Sequence, residues 1–208
     1  MKKTIFLTTL ILVSLSGFGQ KADKDIRYFD TPIVADSLST LMIPVRYNAN
    51  LFSSNKFAYW NDYYANILFY NFNTKTSKKL FAEDTLIKNF TSNFNKLYFD
   101  RNKKEFTSNK WIFYFVKPID YDKNGRINED DPTILYVSDK QGNELKSITP
   151  ENESVVSMDL FEKQGFILVK MQRDLNKNNK FESNDKDYYY IRLDINTLKT
   201  EDKIEVNQ

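Results

Sequence analysis

An aromatic-led motif recurs along the chain. Leu51-Phe52-Ser53-Ser54-Asn55-Lys56-Phe57 is followed by Glu105-Phe106-Thr107-Ser108-Asn109-Lys110-Trp111 and then by Leu160-Phe161-Glu162-Lys163-Gln164-Gly165-Phe166. The first phenylalanines stand 54 and 55 residues apart, and the closing aromatics keep those intervals. A fixed period of this size marks a repeated supersecondary unit that buries its apolar face against its neighbours. Each closing aromatic opens a short apolar run: F-A-Y-W, W-I-F-Y-F-V and F-I-L-V-K-M. A second run follows at 67–72, 134–138 and 188–193. Then come a polar turn and a weaker run (K-K-L-F, E-L-K-S-I and D-K-I-E-V). Long helical periodicity is absent, and β-branched and aromatic residues dominate the runs. Many short strands are the expectation.

A further strand fits ahead of each motif, at Leu41–Tyr47, Lys96–Phe99 and Val155–Leu160. Each unit then reads as a four-stranded antiparallel meander. The predicted fold is all-β, with meander repeats of about 54 residues in a partial or propeller-like array.

Inserted in this frame is a loop with its own chemistry. Asp120–Asp131 reads D-Y-D-K-N-G-R-I-N-E-D-D. Oxygen-bearing side chains stand at positions 1, 3 and 5 (Asp120, Asp122, Asn124). Gly125 is at position 6 and Asp131 at position 12. Arg126 offers a backbone carbonyl at 7, and Ile127 at 8 is apolar. That is the spacing of an EF-hand calcium loop. A second copy, D-L-N-K-N-N-K-F-E-S-N-D, runs from Asp174 to Asp185. Its ligands would be Asp174, Asn176, Asn178, the carbonyl of Lys180, and Asp185. Asn179 replaces the glycine, and asparagine is the best non-glycine choice there. With fewer carboxylates, the second loop is expected to bind more weakly. Both loops join the second and third strands of their units. Unit one is expected to have only the short connection Asn61–Asn66. The expected cofactor is Ca2+, and an aspartate closing the loop resembles dockerin-type repeats.

The strand pattern S-x-x-K-[FW]-x-[YF], with the later N-T-x-x-x-K-x-L segment, resembles the repeat of TolB-type and related bacterial β-propellers over residues 40–208. The resemblance implies a propeller-like domain but carries no active site onto this chain. Propellers close with four to eight blades, and three repeats are counted. Closure would therefore need homo-oligomerisation, further strands from the N-terminal arm, or an open array.

Composition narrows the function. The 208 residues include no histidine and no cysteine. Disulfides, Cys/His zinc or copper sites, and Ser-His-Asp or Cys-His nucleophiles are therefore excluded. Thirty Lys and Arg oppose 28 Asp and Glu, and no basic stripe calls for nucleic acid. Residues 1–19 combine Lys2 and Lys3, a short apolar run from Ile5 to Leu15, and Gly17-Phe18-Gly19. They read as a signal peptide, too short to span a membrane. Residues 20–39 read as an extended arm.

The expectation is a secreted or periplasmic protein, not inserted in the membrane after signal removal. It would be a non-enzymatic binding or scaffold module with a protein or glycan ligand. Trp60, Tyr63 and Tyr64 are candidates to stack on a sugar, and Tyr188-Tyr189-Tyr190 reads as a strand with one or two rings in the core. The competing readings are a carbohydrate-processing enzyme using carboxylates such as Glu129 with Asp130 or Asp185 with Asp187, and a structural subunit of an envelope assembly.

Overall fold

The computed structural model describes residues 27–36, 39–47, 63–91 and 110–205. Phe52, Phe57–Trp60, Lys96–Phe99, Phe106 and the leader lie outside them. The described chain is all-β and antiparallel. β1 (Arg27–Phe29) is followed by β2 (Ile33–Asp36), β3 (Thr40–Tyr47), β4 (Tyr64–Asn71) and β5 (Thr76–Lys79). Next come β6 (Leu86–Phe90), β7 (Trp111–Lys117), β8 (Ile134–Asp139) and β9 (Lys146–Ser147). β10 (Ser154–Phe161), β11 (Phe166–Arg173), β12 (Asp187–Asp194) and β13 (Thr200–Glu205) complete it.

The pairing resolves into three four-stranded meanders. β2-β3-β4-β5 form the first, β6-β7-β8-β9 the second and β10-β11-β12-β13 the third. β1 adds to β3 beyond β2. The first two meanders join in one nine-stranded sheet through a single pairing, Tyr64 with Ile87.

The middle meander is buried on both faces, and this accounts for the unbroken apolar run of β7. Successive side chains of a strand point to opposite faces. Trp111 and Phe113 pack with Val169, Met171, Tyr189 and Ile191 of the third meander. Ile112, Tyr114 and Val116 pack with Met42, Ile67 and Phe69 of the first. Polar groups on the strand are satisfied. Ser138 Oγ donates to the Asp139 carbonyl, so the Tyr114 hydroxyl donates to Ser138 (2.7 Å). Burial pushes the Tyr114 phenol far above its ordinary pKa. Trp111 Nε1 donates to the Ile195 carbonyl (3.0 Å), tying the second meander to the third.

Unit one departs from the sequence expectation. β3 occupies the second-strand position assigned to F-A-Y-W, and β2, placed in the extended arm, is the first strand. The equivalent strands begin at Thr40, Trp111 and Phe166, so the step from unit one to unit two exceeds the 54-residue period. Of the expected short connection Asn61–Asn66, Tyr64–Asn66 belong to β4, and residues 48–62 lie outside the described residues. The first strand of unit two is β6, which lies ahead of the segment Lys96–Phe99 expected in that place. Leu86–Phe90 is five residues long, with an exposed Lys88 and a register shift next to it. Such a segment has little apolar periodicity to detect.

Gly142, in the β8–β9 turn, has φ +73°, and an added Cβ would lie 2.4 Å from the Phe69 ring of β4. Phe69 is itself buried, so it cannot yield. Gly142→Ala is expected to cost about 2 kcal/mol or more, from strain and steric overlap together. On the central strand, Ile112→Ala and Phe113→Ala should each cost roughly 2–5 kcal/mol although they face opposite ways. Urea unfolding of the variants checks both. A negligible effect at either β7 position would contradict two-faced burial.

Candidate metal centre

Both expected loops lie where predicted, between the second and third strands of their meanders: residues 120–131 between β7 and β8, and residues 174–185 between β11 and β12. Their backbones match position by position. In the first loop the Asn124 N–H donates to Asp120 Oδ1 and to Asp122 Oδ1 (3.0 Å each). The Gly125 N–H donates to Asp120 Oδ2 (2.8 Å), and the Arg126 N–H to Asn124 Oδ1 (2.9 Å). In the second, the Asn178 N–H donates to Asp174 Oδ1 (3.2 Å) and Asn176 Oδ1 (2.9 Å). The Asn179 N–H donates to Asp174 Oδ2 (2.7 Å), and the Lys180 N–H to Asn178 Oδ1 (2.8 Å). Each chain turns through left-handed residues at positions 4 and 6: Lys123 and Gly125, then Lys177 and Asn179. Asn179 at φ +62° takes the place of glycine.

The closing aspartates play the same part. Asp131 accepts from the Tyr121 and Asn128 N–H groups (2.7 Å each). Asp185 accepts from Leu175 (3.2 Å) and Glu182 (3.1 Å). Each one therefore fastens the start of its loop to its end. Both are buried, Asp131 completely.

The first loop brings three carboxylates together. Oxygens of Asp120, Asp122 and Asp131 lie within 4.8 Å of one another. Burial pushes the Asp131 carboxyl up, and the charge of Asp122 adds to the rise. A divalent ion with oxygen preference would reverse that penalty. The donor set fits calcium in kind: carboxylate, amide and carbonyl oxygens only, with Asn124 and the Arg126 carbonyl as the further donors the loop would supply. The second loop offers Asp174 and Asp185 with Asn176, Asn178 and the Lys180 carbonyl.

Several supporting residues escaped sequence reading. Lys117, 2% exposed, donates its ammonium to the carbonyls of Glu129 (3.2 Å) and Asp131. Gln172 does the same in the second loop, reaching the carbonyls of Glu182 and Asp185 (2.8 Å each). No spacing rule marks these residues, because Lys117 ends β7, Gln172 stands one residue before the end of β11, and both look like ordinary polar strand ends.

The loops also dock in series. Ile127 packs against Val45, Tyr63, Ala65 and Leu86, which ties the first loop to the first meander. Phe181, at the same loop position, donates its N–H to the Asp130 carbonyl (2.8 Å) and lies beside Tyr121 (5.8 Å between ring centroids). The Lys180 ammonium stands 3.5 Å from Asp130 and 3.7 Å from Asp122. Asp130 chiefly raises its pKa.

The other candidates settle into structural positions. Tyr63 is buried, and its hydroxyl donates to Glu129. Tyr64 lies under the Arg46 guanidinium (4.3 Å). Trp60 is outside the described residues. Burial works against ionisation of Glu129, but the Tyr63 hydroxyl and the Lys117 and Lys88 ammoniums hold its carboxyl below the usual range. Asp187 pairs with Arg173 (3.2 Å). Of the three tyrosines, Tyr189 is core, and Tyr188 and Tyr190 share the opposite face.

No protein-family model and no curated protein sequence matches this chain. Among the described residues no helix is long and apolar enough to cross a membrane.

Lys117 supplies a pH test. Burial pushes its ammonium down from 10.5 to about 8. The fold penalises the charged form, so the penalty is complete below about pH 8. It lifts as pH rises toward 10.5, and stability should rise through that window. One pKa unit is worth about 1.4 kcal/mol, so the gain is of order 3 kcal/mol. Lys117→Gln, copying Gln172, should lose this rise in chelator-treated protein. Urea unfolding from pH 7 to 10.5 measures it, and an unchanged slope in the variant would refute the assignment.

Proposed function

We propose that this is an exported, calcium-stabilised β-repeat scaffold or binding module whose two loops each hold one Ca2+. The observation that carries the proposal is the position-for-position agreement of the two loops. Different side chains, Gly125 against Asn179 and Lys117 against Gln172, support the same backbone course, with the same backbone N–H groups donating to the side chains at positions 1, 3 and 5. Export is inferred from the leader pattern at residues 1–19. A protein without cysteines has no disulfides to offer outside the cytoplasm, and a metal clip serves the same end. It stabilises the folded form by mass action.

The ligand set of the first loop is Asp120, Asp122, Asn124, the Arg126 carbonyl and Asp131. That of the second is Asp174, Asn176, Asn178, the Lys180 carbonyl and Asp185. The role of the ions is structural. The loops touch the neighbouring meander and each other, so a bound ion stiffens the seam between units. The carboxylates once considered for acid/base work are occupied in this frame: Glu129 with Tyr63 and lysines, Asp185 with backbone amides. The propeller-like reading of the repeat belongs to the same proposal. Its support is that three meanders of one topology stack face to face.

Adding millimolar calcium to chelator-treated protein should raise the melting midpoint. At a hundred times the dissociation constant the gain is about 2.7 kcal/mol per site. Asp120→Ala should remove most of it and Asp174→Ala a smaller share. A melting curve indifferent to calcium at these levels would refute the metal reading.

A further inference from the structure

Each meander shows one face to its predecessor and one to its successor. On β7, Ile112 and Tyr114 face the first meander, and Trp111 and Phe113 face the third. On β11, the matching predecessor positions are Ile167 and Val169, and both are in the core. The matching successor positions are Phe166 and Leu168. These belong to none of the three described cores. The register places Tyr188 and Tyr190 on the same face, with Ile204 opposite Tyr190. Phe161 stacks on Phe166 (4.7 Å between centroids) and is 37% exposed, and Ile204 is 45% exposed.

Among the described residues the first meander leaves most of the reciprocal face uncovered. On β3 the predecessor positions are Leu41 and Ile43, paired with Tyr70 and Leu68 of β4, of which Leu68 packs against the core around Val45 and Ile127. Val34 lies opposite Leu41 and is 42% exposed. Leu41, Ile43 and Tyr70 also lie outside the described cores. One chain thus ends with one successor face and most of one predecessor face uncovered by the described residues. These are the two kinds of face that already meet twice inside it.

We propose that the occupant is a second copy of this chain. The third meander of each copy would cover the first meander of the other, about a two-fold axis. Both leftover faces are then buried twice, by the kind of contact that joins the second and third meanders. Six stacked meanders fall within the four to eight that close a ring, and a two-fold arrangement leaves no open end to propagate. Lys170 lies 4.5 Å over Tyr188 and Arg192 4.6 Å over Phe166. Their cationic heads cap aromatic rings of this face, so a partner face would meet these capped rings along with the apolar side chains. The edges of the stack stay blunted by the exposed, charged β13 and the two-residue β9. The inference does not depend on calcium.

Sedimentation equilibrium of the purified chain should give twice the mass of one chain. Leu168→Asp and Ile43→Asp should each weaken self-association at least tenfold while keeping the far-ultraviolet spectrum. A chain that stays monomeric at every concentration would overturn the proposal. So would a dimer that survives Ile43→Asp, because it would pair like faces. A second readout does not rely on the aspartates folding. The chain has no cysteine, so Leu41→Cys with Tyr190→Cys gives two unique thiols. A bismaleimide should link the double variant into covalent dimers and leave Tyr190→Cys alone unlinked. Linkage of the single variant would contradict the arrangement.

Discussion

Everything in this fold depends on the burial of β7 from both sides. A strand that alternates core and solvent can sit at the surface of one sheet. Trp111–Lys117 cannot, because Ile112 and Phe113 both need cover. The cover comes from a meander on each side, so the second unit is held as the middle layer of a stack. The hydrophobic gain is spread over two cores. Specific contacts then set the layers in register: the hydrogen bonds of Trp111 to the Ile195 carbonyl and of Gln141 to Asp36 (2.8 Å), and the close seat of Gly142 on Phe69.

The loops extend that stacking beyond the strands. Each rises from the same place in its meander and leans on what precedes it. Ile127 reaches the first meander, and Phe181 reaches the first loop. Lys180 is a proposed carbonyl ligand of its own loop, and its ammonium stands 3.7 Å from Asp122 of the other. One residue therefore serves both proposed sites, as a ligand in one and a counter-charge in the other. A cation in the first loop would meet three carboxylates partly offset by this ammonium. The energetic reason for an ion is the buried Asp131, whose charge is costly without one. Its oxygens are already committed to two backbone N–H groups, so the loop has its course before any metal arrives.

Much of this was legible in the chain, for identifiable reasons. Strand content followed from short aromatic and β-branched runs, and the loops from a ligand spacing that few hairpin tips share. The third meander matched closely, since Val155–Leu160 and Phe166–Met171 are contiguous and strongly apolar. Unit one did not. The motif at Leu51–Phe57 resembles the other two, yet the second strand is Thr40–Tyr47, whose opening residues carry no such motif. β6 was invisible because Leu86–Phe90 offers only five residues. The supporting residues Lys117 and Gln172, and the side-chain role of Lys180, were hidden for a different reason. Their roles come from contacts 10 to 58 positions away along the chain, and a side chain that donates to distant carbonyls leaves no local pattern.

Both loops are proposed to be ion clamps built to one plan. Isothermal calorimetry on chelator-treated protein tests it most directly. Two calcium ions per chain are expected, the tighter lost in Asp120→Ala and the weaker in Asp174→Ala. Binding of no ion, or of one ion that neither substitution affects, would contradict it.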